Sequence, residues 1–114
     1  MAISSNPTIQ IKGNIGTDID ERKVGNTKVA RFRVITNDRR KNDKDEWEDA
    51  NTSGWSIAAW DKLGQKVIDH LEKGDPVMVF GKIFEDSWVD SDGNKRFSTE
   101  VRAESIGLDI ERVK

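Results

Sequence analysis

The sequence contains no cysteine and a single histidine. The first absence excludes a disulfide framework and thiolate metal sites and is compatible with a reducing compartment. Together with the lone histidine it argues against a zinc site, and no cofactor is expected. Proline is scarce too, with two in 114 residues, and no Gly/Ser-rich or Pro-rich tract interrupts the chain. One compact domain is therefore expected over residues 1–114, with no room for a second core. Apolar residues make up only 34% of the chain against 35% charged, a lean balance that suits a small sheet burying one face of each strand better than a bundle of long helices. The longest uninterrupted apolar runs, 57–60 and 77–80, are four residues each. Both fall far short of a signal segment or a membrane span, so a soluble, cytoplasmic protein without a membrane partner is expected.

No constellation for catalysis stands out. His70, between Asp69 and Leu71, reads as a surface residue on a helix, and there is no nucleophile–base arrangement or phosphate-cradling glycine loop. Asp43, Asp45, Glu46, Glu48 and Asp49 lack the ligand spacing and central glycine of a calcium loop and read as solvated. The formal charge of −2 argues against a surface that neutralises phosphates everywhere. Its distribution is uneven: Lys28, Arg31 and Arg33, then Arg39, Arg40 and Lys41, then Lys95 and Arg96 form basic clusters, while the acids crowd into 43–49. Local patches of this kind can hold a polyanion on a net acidic protein.

What remains is a pattern of strands. Residues 8–12 alternate, with Ile9 and Ile11 on one face, and the Gly13-Asn14-Ile15-Gly16 run that follows marks a bulge or sharp bend by which one strand serves two sides of a small barrel. Residues 28–36 alternate again; Ala30, Phe32 and Val34 form the buried set, so Arg31 and Arg33 point the other way. Residues 37–54 read as a long, poorly ordered loop. A third strand over 55–60 leads into a helix from an Asp61 cap to about Lys73, closed by Gly74; Leu63, Val67 and Leu71 give it one apolar stripe to lay across a barrel end. Residues 77–88 alternate, with Val77, Val79 and Ile83 opposite Met78, Phe80, Lys82 and Phe84. Asp92-Gly93 then signals a hairpin turn into a return strand over 96–106. Three strands, a helix and a two-stranded hairpin give an all-β fold, a five-stranded OB-fold barrel with one helix between strands three and four.

At this point the chain resembles bacterial single-stranded-DNA-binding proteins. The resemblance is carried by Gly13-Asn14-Ile15-Gly16-Thr17-Asp18, Val29-Ala30-Arg31-Phe32, Ala59-Trp60-Asp61-Lys62-Leu63, Leu71-Glu72-Lys73-Gly74, and Trp88 with Asp92-Gly93 and Thr99-Glu100-Val101, over about 8–108. It implies a homotetramer that binds single-stranded DNA without sequence preference in replication, recombination and repair, stacking bases on aromatics and holding phosphates with cations. It also places a stacking aromatic at Trp60 and another at Trp88, whose bland role would be a cross-strand pair with Phe97. A further family platform falls on Gly54 and another near Arg40, which can stack its guanidinium; Trp47 can substitute. Trp55, five residues before Trp60, faces the other side of the strand unless a bulge intervenes.

The expected DNA-binding set is Trp60, Trp88, Trp47, Phe84 and Phe97 for bases, with Arg31, Arg33, Arg40, Lys62, Lys95 and Arg96 for phosphates and Lys82 beside them. Met78, Phe80 and Phe84 form a face too apolar for free solvent, which suits either a subunit interface or more stacking surface, with the interface the better reading for Met78. The family usually continues into a flexible tail with an acidic-hydrophobic end. Its absence after Lys114 puts tail-mediated protein partners in doubt, and no tail domain is expected. Two rival readings remain open. One is an OB module for another ligand such as RNA; the other is a structural subunit of a nucleoprotein complex.

Overall fold

The computed structural model describes residues 6–114; the first five residues of the expected domain lie outside them. Among the described residues there are six strands, β1 (Thr8–Ile15), β2 (Asp20–Val24), β3 (Thr27–Lys41), β4 (Trp47–Trp60), β5 (Pro76–Val89) and β6 (Lys95–Leu108), one helix, α1 (Asp61–His70), and a short helical turn, Ile110–Arg112. The sheet runs β1-β5-β6-β4-β3-β2, and β1 also pairs with β3. That last pairing closes β1, β3, β4, β5 and β6 into a ring, with α1 between its third and fourth strands in chain order, as the OB arrangement requires. β2, a sixth strand that the sequence pattern does not announce, hangs on the outer edge of β3.

Closure depends on the bend in β1. Residues 8–14 of β1 pair with β5, while Asn14 and Ile15 face Ile35 and Val34 of β3. A strand can serve both neighbours only where backbones come very close. A Cβ at Gly13 would collide with the Ile35 carbonyl and sit 2.8 Å from Val34 Cγ1, so the glycine that breaks the alternation is the one that lets the ring shut.

Inside the ring lie Ile11, Ile15, Ala30, Phe32, Val34, Ile57, Ala59, Val67, Val77, Val79 and Val101. These are the inward members of each alternating strand plus one helix residue; each large aliphatic side chain buried this way contributes about 1.5–3 kcal/mol over its exposed state. α1 seats directly on β4, since a Cβ at Gly64 would strike the Ala59 carbonyl.

The helix departs from expectation at both ends. Asp61 is its first residue, with φ 56°, and not its cap; Trp60 precedes it without any side-chain cap bond. The strand turns sharply into the helix at that point, and aspartate is among the few non-glycine residues that tolerate such a φ. At the other end the helix stops at His70, and Leu71 is already extended at φ −121°. The Glu72 N–H is taken by the Asp75 carboxylate at 2.9 Å, which diverts the chain before Gly74.

Residues 37–54 are not a disordered loop. β3 and β4 pair out to Lys41 and Trp47, making a two-stranded arm beyond the barrel with its tip at 42–46. β5 and β6 pair out to Val89 and Lys95, with their tip at 90–94. The two tips share one design. Asn42 Oδ1 accepts from the N–H of Lys44 and Glu46 at 2.9 and 3.0 Å, and Asp90 Oδ1 accepts from the N–H of Asp92 and Asn94 at 3.0 and 2.9 Å. The fourth residue of each, Asp45 (φ 62°) and Gly93 (φ 81°), takes the left-handed conformation that turns the chain back.

Candidate nucleic-acid interface

Strand registers set the outer face of the barrel. Arg33 lies opposite Ser56, which lies beside Glu100, which lies opposite Phe84. One step along, Arg31, Ala58, Arg102 and Lys82 form a second row. Trp60 follows at the end of β4, opposite Val29. Ala58 belongs to this outer set yet is fully buried without joining the core cluster.

Trp60 is half-buried and stands outside the core cluster, so it does not plug the barrel. Its indole Nε1 is buried and has no hydrogen-bond partner among the described residues. With Asn26, Lys28, Asp61, Lys62 and Gln65 it lines an open cleft of about 750 Å³, which brings Lys62 on α1 next to the tryptophan. Trp55 sits on the opposite side of β4, packs against the core and donates Nε1 to Thr36 Oγ1 at 3.3 Å.

Alternation along β5 and β6 sorts the far arm. Trp88 pairs with Arg96, and both continue the face that carries Phe84. Phe97 pairs with Ser87, which puts it on the reverse side of the arm with Lys95, whose ammonium lies 5.4 Å from the Phe97 ring centroid. Trp88 and Phe97 are therefore not a cross-strand pair. On the other arm a register shift between Asp38 and Arg39 adds one residue to β4, after which Lys41 meets Trp47 and Arg40 meets Glu48. Trp47 thus continues the Arg31 and Arg33 face, with Lys41 Nζ 5.6 Å from its ring, and Arg40 lies on the reverse. Trp47, Trp88 and Phe97 are 61%, 50% and 58% exposed.

Three cations of this face pair with acids. Arg31 meets Glu100 at 3.6 Å, Lys82 meets Glu104 at 3.6 Å, and Arg96 Nε meets Asp90 at 2.8 Å. The Arg96 hydrogen bond holds the Asp90 carboxyl below the usual carboxylate range. Among the described residues Arg33, Arg40, Lys62 and Lys95 have no carboxylate partner. Exposed pairs of this kind are worth only about 0–1 kcal/mol, so an incoming anion can replace the carboxylate. Sequence reasoning does not single out Arg102, whose Cζ lies 3.9 Å from the Phe84 ring centroid. Its position six residues after Arg96, on the same strand parity, was the available signal.

The overall fold is shared with solved structures. The small single-stranded DNA-binding protein from Streptomyces coelicolor superposes with a TM-score of 0.82 at 28% identity, covering 96% of this chain and 100% of that one. The second single-stranded DNA-binding protein of Mycobacterium smegmatis does so with a TM-score of 0.70 at 28% identity, covering 96% and 94%. By sequence, a single-stranded DNA-binding protein of Thermus aquaticus is 34% identical over 94 residues, which are 82% of this chain and 34% of that protein. Single-stranded DNA-binding protein 1 of Xylella fastidiosa is 32% identical over 102 residues, 88% of this chain and 74% of that protein. The chain thus spans about a third of the Thermus relative's length and about three quarters of the Xylella one. Because the Single-strand binding protein family matches residues 7–109, which takes in the whole ring and both arms, the chain belongs to that family.

Proposed function

We propose that this protein binds single-stranded DNA without sequence preference and performs no catalysis. Bases stack on Trp60, Phe84 and Trp88 on the barrel face and on Trp47 and Phe97 on the arms. Phosphates are held by Arg31, Arg33, Lys62 and Arg96 along that face and by Arg40 and Lys95 on the reverse of the arms. The observation that carries the reading is the placement of Trp60, Phe84, Arg31 and Arg33 on one side of a sheet whose other side packs into the core, a side that Trp88 and Arg96 continue onto the arm. Aromatics with accessible faces beside cations whose acidic partners are weak or lacking among the described residues suit a ligand with a stackable ring and a charge at every repeat. The processes this reading assigns to the protein are replication, recombination and repair.

The assembled form is a homotetramer. Supporting it is the outer face of β1, β5 and β6, where Met78 and Phe80, 47% and 38% exposed, edge an apolar groove of about 600 Å³ together with Gln10, Lys12, Ile106 and Gly107.

The test is a titration of intrinsic tryptophan emission with oligothymidylate, competed with RNA and with duplex DNA. Saturable quenching by oligothymidylate that RNA and duplex DNA neither reproduce nor reverse is the expected result. Equal competition by RNA would favour a general single-strand or RNA module, and the lack of any quench or binding would favour a structural subunit.

A further inference from the structure

Glu100 sits between two arginines on the outer face. Its Oε2 lies 3.6 Å from Arg31 Nη1 and its Oε1 lies 3.7 Å from Arg102 Nε. The carboxylate is mostly covered, at 17% exposed, while the arginine side chains are about half exposed, at 47% and 48%. Arg102 in turn covers one face of the Phe84 ring, and Phe84 is the cross-strand partner of Glu100. The four side chains form a closed set across β3, β6 and β5: one acid, two cations it attracts, and one aromatic face that a cation occludes.

The distances matter. At 3.6 and 3.7 Å the carboxylate attracts both guanidiniums but lies outside good hydrogen-bond length. A phosphate that reached either arginine could make charge-assisted bonds at about 2.7–2.9 Å, bidentate where the planar fork allows. The acid is thus a weak occupant of a place a phosphate would fill better.

We propose that Glu100 is a built-in competitor for the DNA backbone. In the free protein it holds Arg31 and Arg102 and keeps Arg102 over Phe84; on binding, a phosphate exchanges for the carboxylate, and Arg102 moves off the ring so that a base can take its face. The inference rests on the single-strand reading above. It goes beyond that reading in giving an acidic residue a role in setting affinity and in adding Arg102 to the residues that meet DNA.

Glu100→Gln keeps the size and removes the charge. Labelled oligothymidylate titrated across a salt series is expected to bind this variant roughly fivefold tighter than the parent near physiological salt, the scale of one nearby charge on a solvated surface. The salt slope is expected to steepen, because arginines freed of Glu100 hold buffer anions that the strand then displaces. Glu111→Gln, in the C-terminal turn away from this face, makes the same change in net charge and is expected to stay within about twofold of the parent. In an Arg31→Gln background the effect of Glu100→Gln is expected to shrink. Should Glu100→Gln fail to fold, Glu100→Thr removes the charge with a residue strands favour. Unchanged or weaker binding by the Glu100 variant, or an increase matched by Glu111→Gln, would overturn the proposal while leaving single-strand binding intact. A parent that does not bind oligothymidylate would overturn both.

Discussion

The end of the Arg33 side chain occupies the space that a side chain at Gly54 would fill: a Cβ there would collide with Nη2 and lie 3.1 Å from Cζ and 3.2 Å from Nε. Nη1 donates to the Ser56 hydroxyl at 2.8 Å, so the guanidinium is held across β4 at the point where the family resemblance places an aromatic platform. The chain has a cation at that point and no ring.

Enlarging Gly54 separates the two designs. The obstacle is the flexible tip of an arginine, so Gly54→Ala is expected to stay within about 1 kcal/mol of the parent's stability. It is expected to lose severalfold in oligothymidylate affinity as Arg33 leaves Ser56. Gly54→Trp exchanges the cation for a stack, and is expected to bind with a salt slope shallower by about 0.7 and to hold its affinity better at high salt. Identical slopes for the parent and both variants would mean that Arg33 meets no phosphate.

Trp60 and Trp88 carry the stacking claim. Alanine at either position is expected to weaken oligothymidylate binding by about 1–3 kcal/mol and to reduce the emission quench. Thermal melts decide whether the loss is direct. A core tryptophan would cost about 3–5 kcal/mol of folding free energy on truncation, whereas Trp60 lies outside the core cluster and Trp88 is half exposed, so both variants should fold. A folded double variant with the parent's affinity and quench would refute the mechanism.

The parts of the fold legible in the sequence were those where one strand face is buried. Ala30, Phe32 and Val34 against Arg31 and Arg33 carry the full period-two signal, because water meets only one side of β3 there. The arms carry none. From Asn37 onward both sides of the hairpin meet solvent, so no apolar alternation marks residues 37–54 as paired. What holds them is the backbone ladder with polar cross-strand contacts, such as Thr52 to Asn37 at 3.0 Å and Arg39 to Asp49 at 3.4 Å. β2 escaped notice for the same reason, all five of its residues being exposed. The face taken by Trp47 depends on one inserted residue between the partners of Asp38 and Arg39, which reverses parity and which residue types do not reveal. The opposition of Trp88 and Phe97 follows from a register fixed by the turn at 90–94 and was readable only once that turn's length was known.

The apolar groove beside Met78 and Phe80 predicts assembly. Light scattering at micromolar concentration is expected to give about four times the 12.9 kDa of the chain. A charge on this face should oppose assembly without touching the core, so Met78→Asp and Phe80→Asp are expected to yield smaller folded species. A stable monomer in the parent would sink the tetramer.

Asp109, 5% exposed, is clasped by Arg112 Nε at 2.6 Å, with Lys12 at 3.4 Å. Arg112 also donates Nη1 to Asn14 Oδ1 at 2.8 Å and Nη2 to the Gly13 carbonyl at 2.9 Å, tying the C-terminal turn to the bend that closes the ring. The hydrogen bond from Arg112 lowers the Asp109 carboxyl below its ordinary range, against the upward push of burial and with help from Lys12. A carboxylate depressed in the folded state contributes stability that is present above its unfolded pKa, about 3.9, and is lost as pH falls through the lower folded value. Arg112→Met keeps the length of the side chain and removes the charge. Its deficit in denaturant unfolding relative to the parent is expected to be constant above about pH 5 and to narrow below about pH 4, where Asp109 takes up its proton in both proteins. A deficit unchanged by pH would mean that Arg112 acts through its contacts to Asn14 and Gly13 alone.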